Sequence, residues 1–166
     1  MANLSVSMGQ IVIGKKEDIL LASGIGSCVV ICLYSKEEQV GGAAHIMLPQ
    51  HPTPKKIMSI EVGNNEELLK LELGRYADTG IDTLVTELTK QNINMKDIEA
   101  KIIGGAEMFS AIVAEENRIG PANILAVKNK LTSINIKVVS EDVGGNSGRS
   151  IRFSIENGKI DIKKRM

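Results

Sequence analysis

The uninterrupted apolar run Val29-Val30-Ile31-Cys32-Leu33-Tyr34 constrains this chain more than any other segment. A strand of a half-exposed sheet alternates apolar and polar residues. This run does not, so it reads as a strand buried on both faces. A charged turn, Ser35-Lys36-Glu37-Glu38-Gln39, follows it, and then a second apolar stretch, Gln39 to Met47. The two read as a hairpin. The small residues Gly41 to Ala44 in the second arm point to close backbone approach or a bulge.

The remaining segments set the order of elements. Gly9 to Ile13 is a short apolar strand. Three of the four prolines fall in Pro49-Gln50-His51-Pro52-Thr53-Pro54, which excludes helix or central strand and predicts a loop running to about Asn65. Tyr76, Ile81, Leu84, Val85 and Leu88 share one helical face. Ala100 to Ile103 is a strand broken by Gly104-Gly105. A second helix starts near Gly120 with Pro121 in its first turn, and Ile124, Val127 and Leu131 form its stripe. Ile136 to Val139 and the alternating Ile151, Phe153 and Ile155 return to strand, with Asn157-Gly158 as a two-residue hairpin signal. This order predicts an α/β sandwich with a mixed or antiparallel sheet and two main helices, not a doubly wound parallel sheet. A length of 166 residues suits one domain spanning 1–166. With 2 % aromatic residues and no Trp, its core must be aliphatic.

Charge and composition remove several function classes. Twenty basic and twenty acidic residues cancel, and four aromatics leave little for base stacking, so nucleic-acid binding is disfavoured. The Lys163-Lys164-Arg165 run reads as a solvated tail. No apolar run approaches a membrane span, and the N-terminal residues lack the pattern of a signal peptide. The expected compartment is the cytoplasm, where Cys28 and Cys32 stay as thiols.

Chemistry concentrates at Ser23-Gly24-Ile25-Gly26-Ser27-Cys28. The glycines permit a sharp turn, and N–H groups freed from a ladder there can meet a developing oxyanion. Cys28 stands at the lip between turn and strand. With the hairpin centred near Glu37, Cys28 lies nine residues before the turn and His45 eight after, so the two fall close together, within a residue or two of register. This favours His45 over His51, which sits in the proline-rich loop. A histidine neighbour activates a cysteine by lowering its pKa. A cysteine in an apolar strand is also an ordinary core residue, which is the reading for Cys32, and the residues alone leave both roles open for Cys28. A zinc site from Cys28, Cys32, His45 and His51 has poor ligand spacing. Gly144 to Gly148 fits an anion nest or a loop entering a strand.

Several blocks together resemble the chemoreceptor glutamine deamidases of the CheD family. They are Gly24-Ile25-Gly26-Ser27-Cys28-Val29, Gly41-Gly42-Ala43-Ala44-His45-Ile46-Met47-Leu48-Pro49, Arg75-Tyr76-Ala77-Asp78, Ala100 to Phe109, Ile119-Gly120 with Asn123, and Glu141 to Arg149 with Ile151-Arg152-Phe153. The resemblance covers nearly the whole chain. It implies a sandwich similar to deamidating toxin domains, Cys28 as nucleophile, His45 as general base and acid, and an oxyanion held at the Gly26-Ser27 turn. It implies hydrolysis of receptor glutamines to glutamate with no cofactor or metal, and glutamyl methyl esters as secondary substrates. It further implies chemoreceptor cytoplasmic domains and a CheC-type phosphatase as partners. The alternative it leaves is a weakly catalytic binding module that regulates such a phosphatase. One departure stands out. The family's histidine-orienting threonine, six positions before the cysteine, falls here on Ala22; Ser23 and Ser27 are near in sequence, and a backbone carbonyl or a water could serve instead.

Overall fold

The computed structural model describes residues 2–53, 66–109, 112–114 and 117–165. The strands are β1 (Asn3–Ser5), β2 (Ile11–Lys15), β3 (Ile19–Ile25), β4 (Val29–Ser35), β5 (Val40–Ile46), β6 (Ile98–Gly104), β7 (Lys137–Val143), β8 (Arg149–Ser154) and β9 (Ile160–Lys164). The helices are α1 (Glu66–Gly74), α2 (Ala77–Thr89) and α3 (Ile119–Ser133). The strands form two mixed sheets, a five-stranded one in the order β2-β5-β4-β6-β7 and a four-stranded one in the order β1-β3-β8-β9.

The β4 run explains the layering. Every residue of β4 is buried. Its odd-numbered residues Val29, Ile31 and Leu33 pack with Ala44 and Ile46 against Ala77, Ile81, Leu84 and Leu88 of α2 and Val127 and Leu131 of α3. Its even-numbered residues Val30, Cys32 and Tyr34 pack with Ala43 and Ile103 against Leu20, Ala22, Ile151 and Phe153 of the smaller sheet. The larger sheet is therefore the middle layer, covered by helices on one side and by a second sheet on the other. An α/β sandwich with mixed sheets is what the order of elements predicts.

The hairpin register pairs Val30 with His45 and Val29 with Ile46 without a slip. Close approach, not a bulge, therefore explains the glycines of β5. A Cβ on Gly42 would lie 2.8 Å from Leu84 Cδ1, and one on Gly41 2.8 Å from the Leu33 carbonyl oxygen.

Four features differ from the sequence expectation. β1 is a short parallel partner of β3 that carries no periodicity of its own. β3 runs through Ser23-Gly24 to Ile25, with an irregularity between Ala22 and Ile25, so the sharp turn shrinks to Gly26-Ser27-Cys28. A third helix, α1, stands before α2. The β8–β9 hairpin is longer than two residues, because Ser154 N–H bonds to the Lys159 carbonyl and Gly158 N–H to the Ser154 carbonyl. Residues 54–65 of the proline-rich loop lie outside the described residues.

Candidate active site

The turn that carries Cys28 is pinned through its carbonyls. The Gly26 carbonyl accepts from Ala106 N–H at 2.9 Å, the Cys28 carbonyl from Gly105 N–H at 2.7 Å, and the Ser27 carbonyl from the Asn123 side-chain amide at 2.9 Å. The N–H groups of Gly26, Ser27 and Cys28 donate to no backbone or side-chain oxygen among the described residues. The Cys28 N–H lies beside its own sulfur. Carbonyls turned inward and N–H groups left unpaired are what an oxyanion site needs. The break after β6 makes this possible, since Gly104 takes φ +120° and a Cβ there would strike the Cys28 carbonyl oxygen.

Cys28 precedes β4 and continues the parity of Val30, so it belongs to the face between the sheets. Extending the ladder by one residue sets Cys28 opposite Met47 and makes His45 its diagonal neighbour on that face. The hairpin thus brings the two together, as the sequence spacing predicts. Asn123 locks the arrangement, because its amide nitrogen also donates to the Met47 carbonyl at 3.0 Å and so ties the cysteine turn to the end of β5. Its Oδ1 has no partner among the described residues although the residue is fully buried. Sequence reasoning gave Asn123 no role. Its signal was a polar residue in line with the buried Val127 and Leu131 of α3.

His45 is 0 % exposed and Cys28 8 %. The His45 Nδ1 lies 3.0 Å from the Val6 carbonyl oxygen. A carbonyl oxygen only accepts, so the proton sits on Nδ1 and leaves Nε2 with a bare lone pair. Burial holds the imidazole below the usual histidine pKa, outweighing the opposite pull of the Val6 carbonyl, so the ring is neutral near pH 7. Nε2 is buried without a hydrogen-bond partner among the described residues. A neutral imidazole with a free basic nitrogen can take a proton from a thiol.

Burial pushes Cys28 above the ordinary cysteine pKa, and its own backbone N–H only partly offsets this. No hydrogen bond joins its sulfur to His45 Nε2. The free chain therefore holds a neutral thiol beside a neutral imidazole, not a preformed thiolate. The sign follows from burial, which disfavours the charged thiolate, and the neutral His45 supplies no cation to offset it.

Other candidates resolve by their surroundings. Burial drives the fully enclosed Cys32 thiol far up, as for a core residue. His51 Nδ1 accepts from Thr53 N–H at 2.9 Å and its Nε2 meets Glu72 Oε1 at 3.3 Å, so both ring nitrogens are occupied. Arg149 reaches Asp142 Oδ1 at 3.0 Å and the Gly144 carbonyl at 2.9 Å, which makes the glycine loop a braced entry to β8. Gly24 and Gly26 edge an open cleft of about 550 Å³ walled by Met108, Asn146, Ser147 and Arg165. A Cβ on Gly26 would come within 3.0 Å of Met108 Sδ, so Met108 overhangs the turn.

The family described as CheD chemotactic sensory transduction matches residues 47–164. Over 159 residues the chain is 36 % identical to the chemoreceptor glutamine deamidase CheD of Thermotoga maritima, covering 96 % of this chain and 90 % of that protein. It is 34 % identical over 161 residues to the chemoreceptor glutamine deamidase CheD of Bacillus subtilis, covering 96 % and 90 %. With the probable chemoreceptor glutamine deamidase CheD of Caldanaerobacter subterraneus it shares 39 % over 161 residues, covering 96 % and 91 %. The chain belongs to the CheD family.

Proposed function

We propose that this member of the CheD family hydrolyses glutamine side chains of chemoreceptors to glutamate and releases ammonia, with Cys28 as nucleophile and His45 as proton carrier. The observation that carries the reading is His45 itself. It stands on the sheet face of Cys28 with Nδ1 bonded to a carbonyl and Nε2 bare.

The chemistry follows from the neutral pair. As the Cys28 sulfur attacks the carboxamide carbon, its proton passes to His45 Nε2 and the carboxamide oxygen takes up negative charge. The N–H groups of Gly26, Ser27 and Cys28, which meet no oxygen among the described residues, are the donors for that oxygen. His45 then returns the proton to the amide nitrogen, the C–N bond breaks, and ammonia leaves a thioester on Cys28. Water attacks the thioester carbon and gives one proton to Nε2. The C–S bond breaks, the sulfur regains that proton, and glutamate is released. Glutamyl methyl esters enter by the same route with methanol as leaving group. The reaction belongs to the cytoplasm, and a CheC-type phosphatase is the partner that would compete with the receptor.

A second reading, a binding module that acts on such a phosphatase, draws on the raised thiol pKa and the missing sulfur–imidazole bond of the free chain. Mass spectrometry of a chemoreceptor cytoplasmic domain separates the two. The deamidase reading expects a gain of about one dalton per glutamine with the wild type and none with Cys28→Ala. No gain on several receptors with folded wild type would leave the binding module.

A further inference from the structure

The connection between β1 and β2 does more than join two strands. Three hydrogen bonds run from it to His45. Gly9 N–H donates to the His45 carbonyl at 2.9 Å, His45 N–H donates to the Gln10 carbonyl at 3.1 Å, and the ring Nδ1–H donates to the Val6 carbonyl at 3.0 Å. The first two hold the strand. The third holds the ring.

The connection is itself braced. Val6 N–H donates to the Leu21 carbonyl of β3 at 2.7 Å, and Val6 is buried. Ser7 N–H donates to Gln10 Oε1 and Gln10 N–H to the Ser7 carbonyl, both at 2.9 Å, which closes a tight turn with Gly9 at φ +80°. The turn rests on the end of α1, where a Cβ on Gly74 would run into the Gly9 carbonyl oxygen. The Val6 carbonyl is therefore fixed in space by β3, by β5 and by a helix end. Ala22, next to Leu21 on β3, carries no polar side-chain atom that could supply a rival acceptor.

We propose that the Val6–Gln10 turn is the positioning element of His45, with the Val6 carbonyl selecting the Nδ1–H tautomer and aiming the bare Nε2. The inference rests on the reading of His45 as the proton carrier. A backbone acceptor here does what a side-chain acceptor does in other cysteine and serine hydrolases: it fixes which nitrogen is free.

Full-length chain assembled by ligation at Cys28 can carry an ester in place of the Val6–Ser7 amide. The ester keeps the Val6 carbonyl but makes it a poorer acceptor, and it deletes the Ser7 N–H. The control is Gln10→Ala, which deprives the Ser7 N–H of its partner and leaves the Val6 carbonyl intact. Nitrogen-15 spectra of the imidazoles read the tautomer without substrate. In the wild type, His45 should carry its proton on Nδ1 and His51, whose Nδ1 accepts from Thr53, on Nε2. The ester chain should show both tautomers of His45 and a kcat lower by about tenfold with KM unchanged, and Gln10→Ala, which loosens the turn but keeps the Val6 carbonyl, should shift both by less. A wild-type proton on His45 Nε2, or an ester chain with unaltered tautomer and kcat, would overturn the proposal. A wild type inactive on every receptor would refute the deamidase reading, and the nitrogen spectra would still decide the role of the turn.

Discussion

Replacing Asn123 with Ala removes a side chain bonded to both the cysteine turn and the end of β5. The amide makes two part-buried hydrogen bonds, at 2.9 Å to the Ser27 carbonyl and 3.0 Å to the Met47 carbonyl. Each is worth about 1 kcal/mol net, and stranding a buried carbonyl costs up to about 3 kcal/mol. Losing the partnerless Oδ1 returns part of that, since an unpaired buried oxygen is already unfavourable in the wild type. The balance is a loss of about 2–3 kcal/mol, which for a chain of this length lowers Tm by about 5–10 °C. Urea unfolding should show a lower midpoint with an unchanged slope. Deamidation should slow as well, because the Ser27 carbonyl would no longer hold the turn. A loss below about 0.5 kcal/mol, the size of an ordinary surface change, would refute the claim that this amide is the tie.

Gly104→Ala would force a side chain into φ +120° and against the Cys28 carbonyl. It should cost about 3 kcal/mol or more in urea unfolding, whereas Gly144→Ala, with the same kind of backbone but open space, should cost less. His45 titrates below its unfolded value because it is buried. The unfolded chain therefore binds more protons. The contribution of His45 to stability is present above about pH 6.5 and is lost as pH falls through its lowered folded pKa. Stability of the wild type should fall more steeply from pH 7.5 to 5.5 than that of His45→Leu, and parallel curves would contradict this. Iodoacetamide should modify Cys28 faster than Cys32, which is fully enclosed. The Cys28 rate should climb about tenfold per pH unit between pH 7 and 9, as for a protonated thiol; a rate already flat there would mean a preformed thiolate.

The parts of the site that depend on side-chain pattern were legible in the sequence. The apolar Val29–Tyr34 run required cover on both faces, and the charged turn after it put His45 within two residues of register of Cys28. The parts that depend on backbone were not. β3 was hidden because Ser23-Gly24 interrupts its apolar stretch, and the ladder to β8 itself breaks between Ala22 and Ile25 before it resumes. The Val6 carbonyl leaves no trace in residue type, since any residue at that position has one. The alanine at position 22 shows only that a side-chain acceptor is missing, not where its replacement lies. Asn123 gave a weak signal, an amide in line with buried aliphatics, but its two partners are 96 and 76 residues away. The raised thiol pKa follows from burial, which the cysteine–histidine spacing alone does not report.

The central claim is that the Cys28 thiol and the His45 imidazole act as one unit. Deamidation rates of the wild type, Cys28→Ala, His45→Ala and the double variant on one receptor domain test it directly. Groups that share a single step are strongly non-additive. The account predicts that the double variant is no slower than Cys28→Ala alone, and that His45→Ala leaves little activity of its own. Two independent losses that multiply in the double variant, or a His45→Ala chain that keeps wild-type turnover, would contradict it.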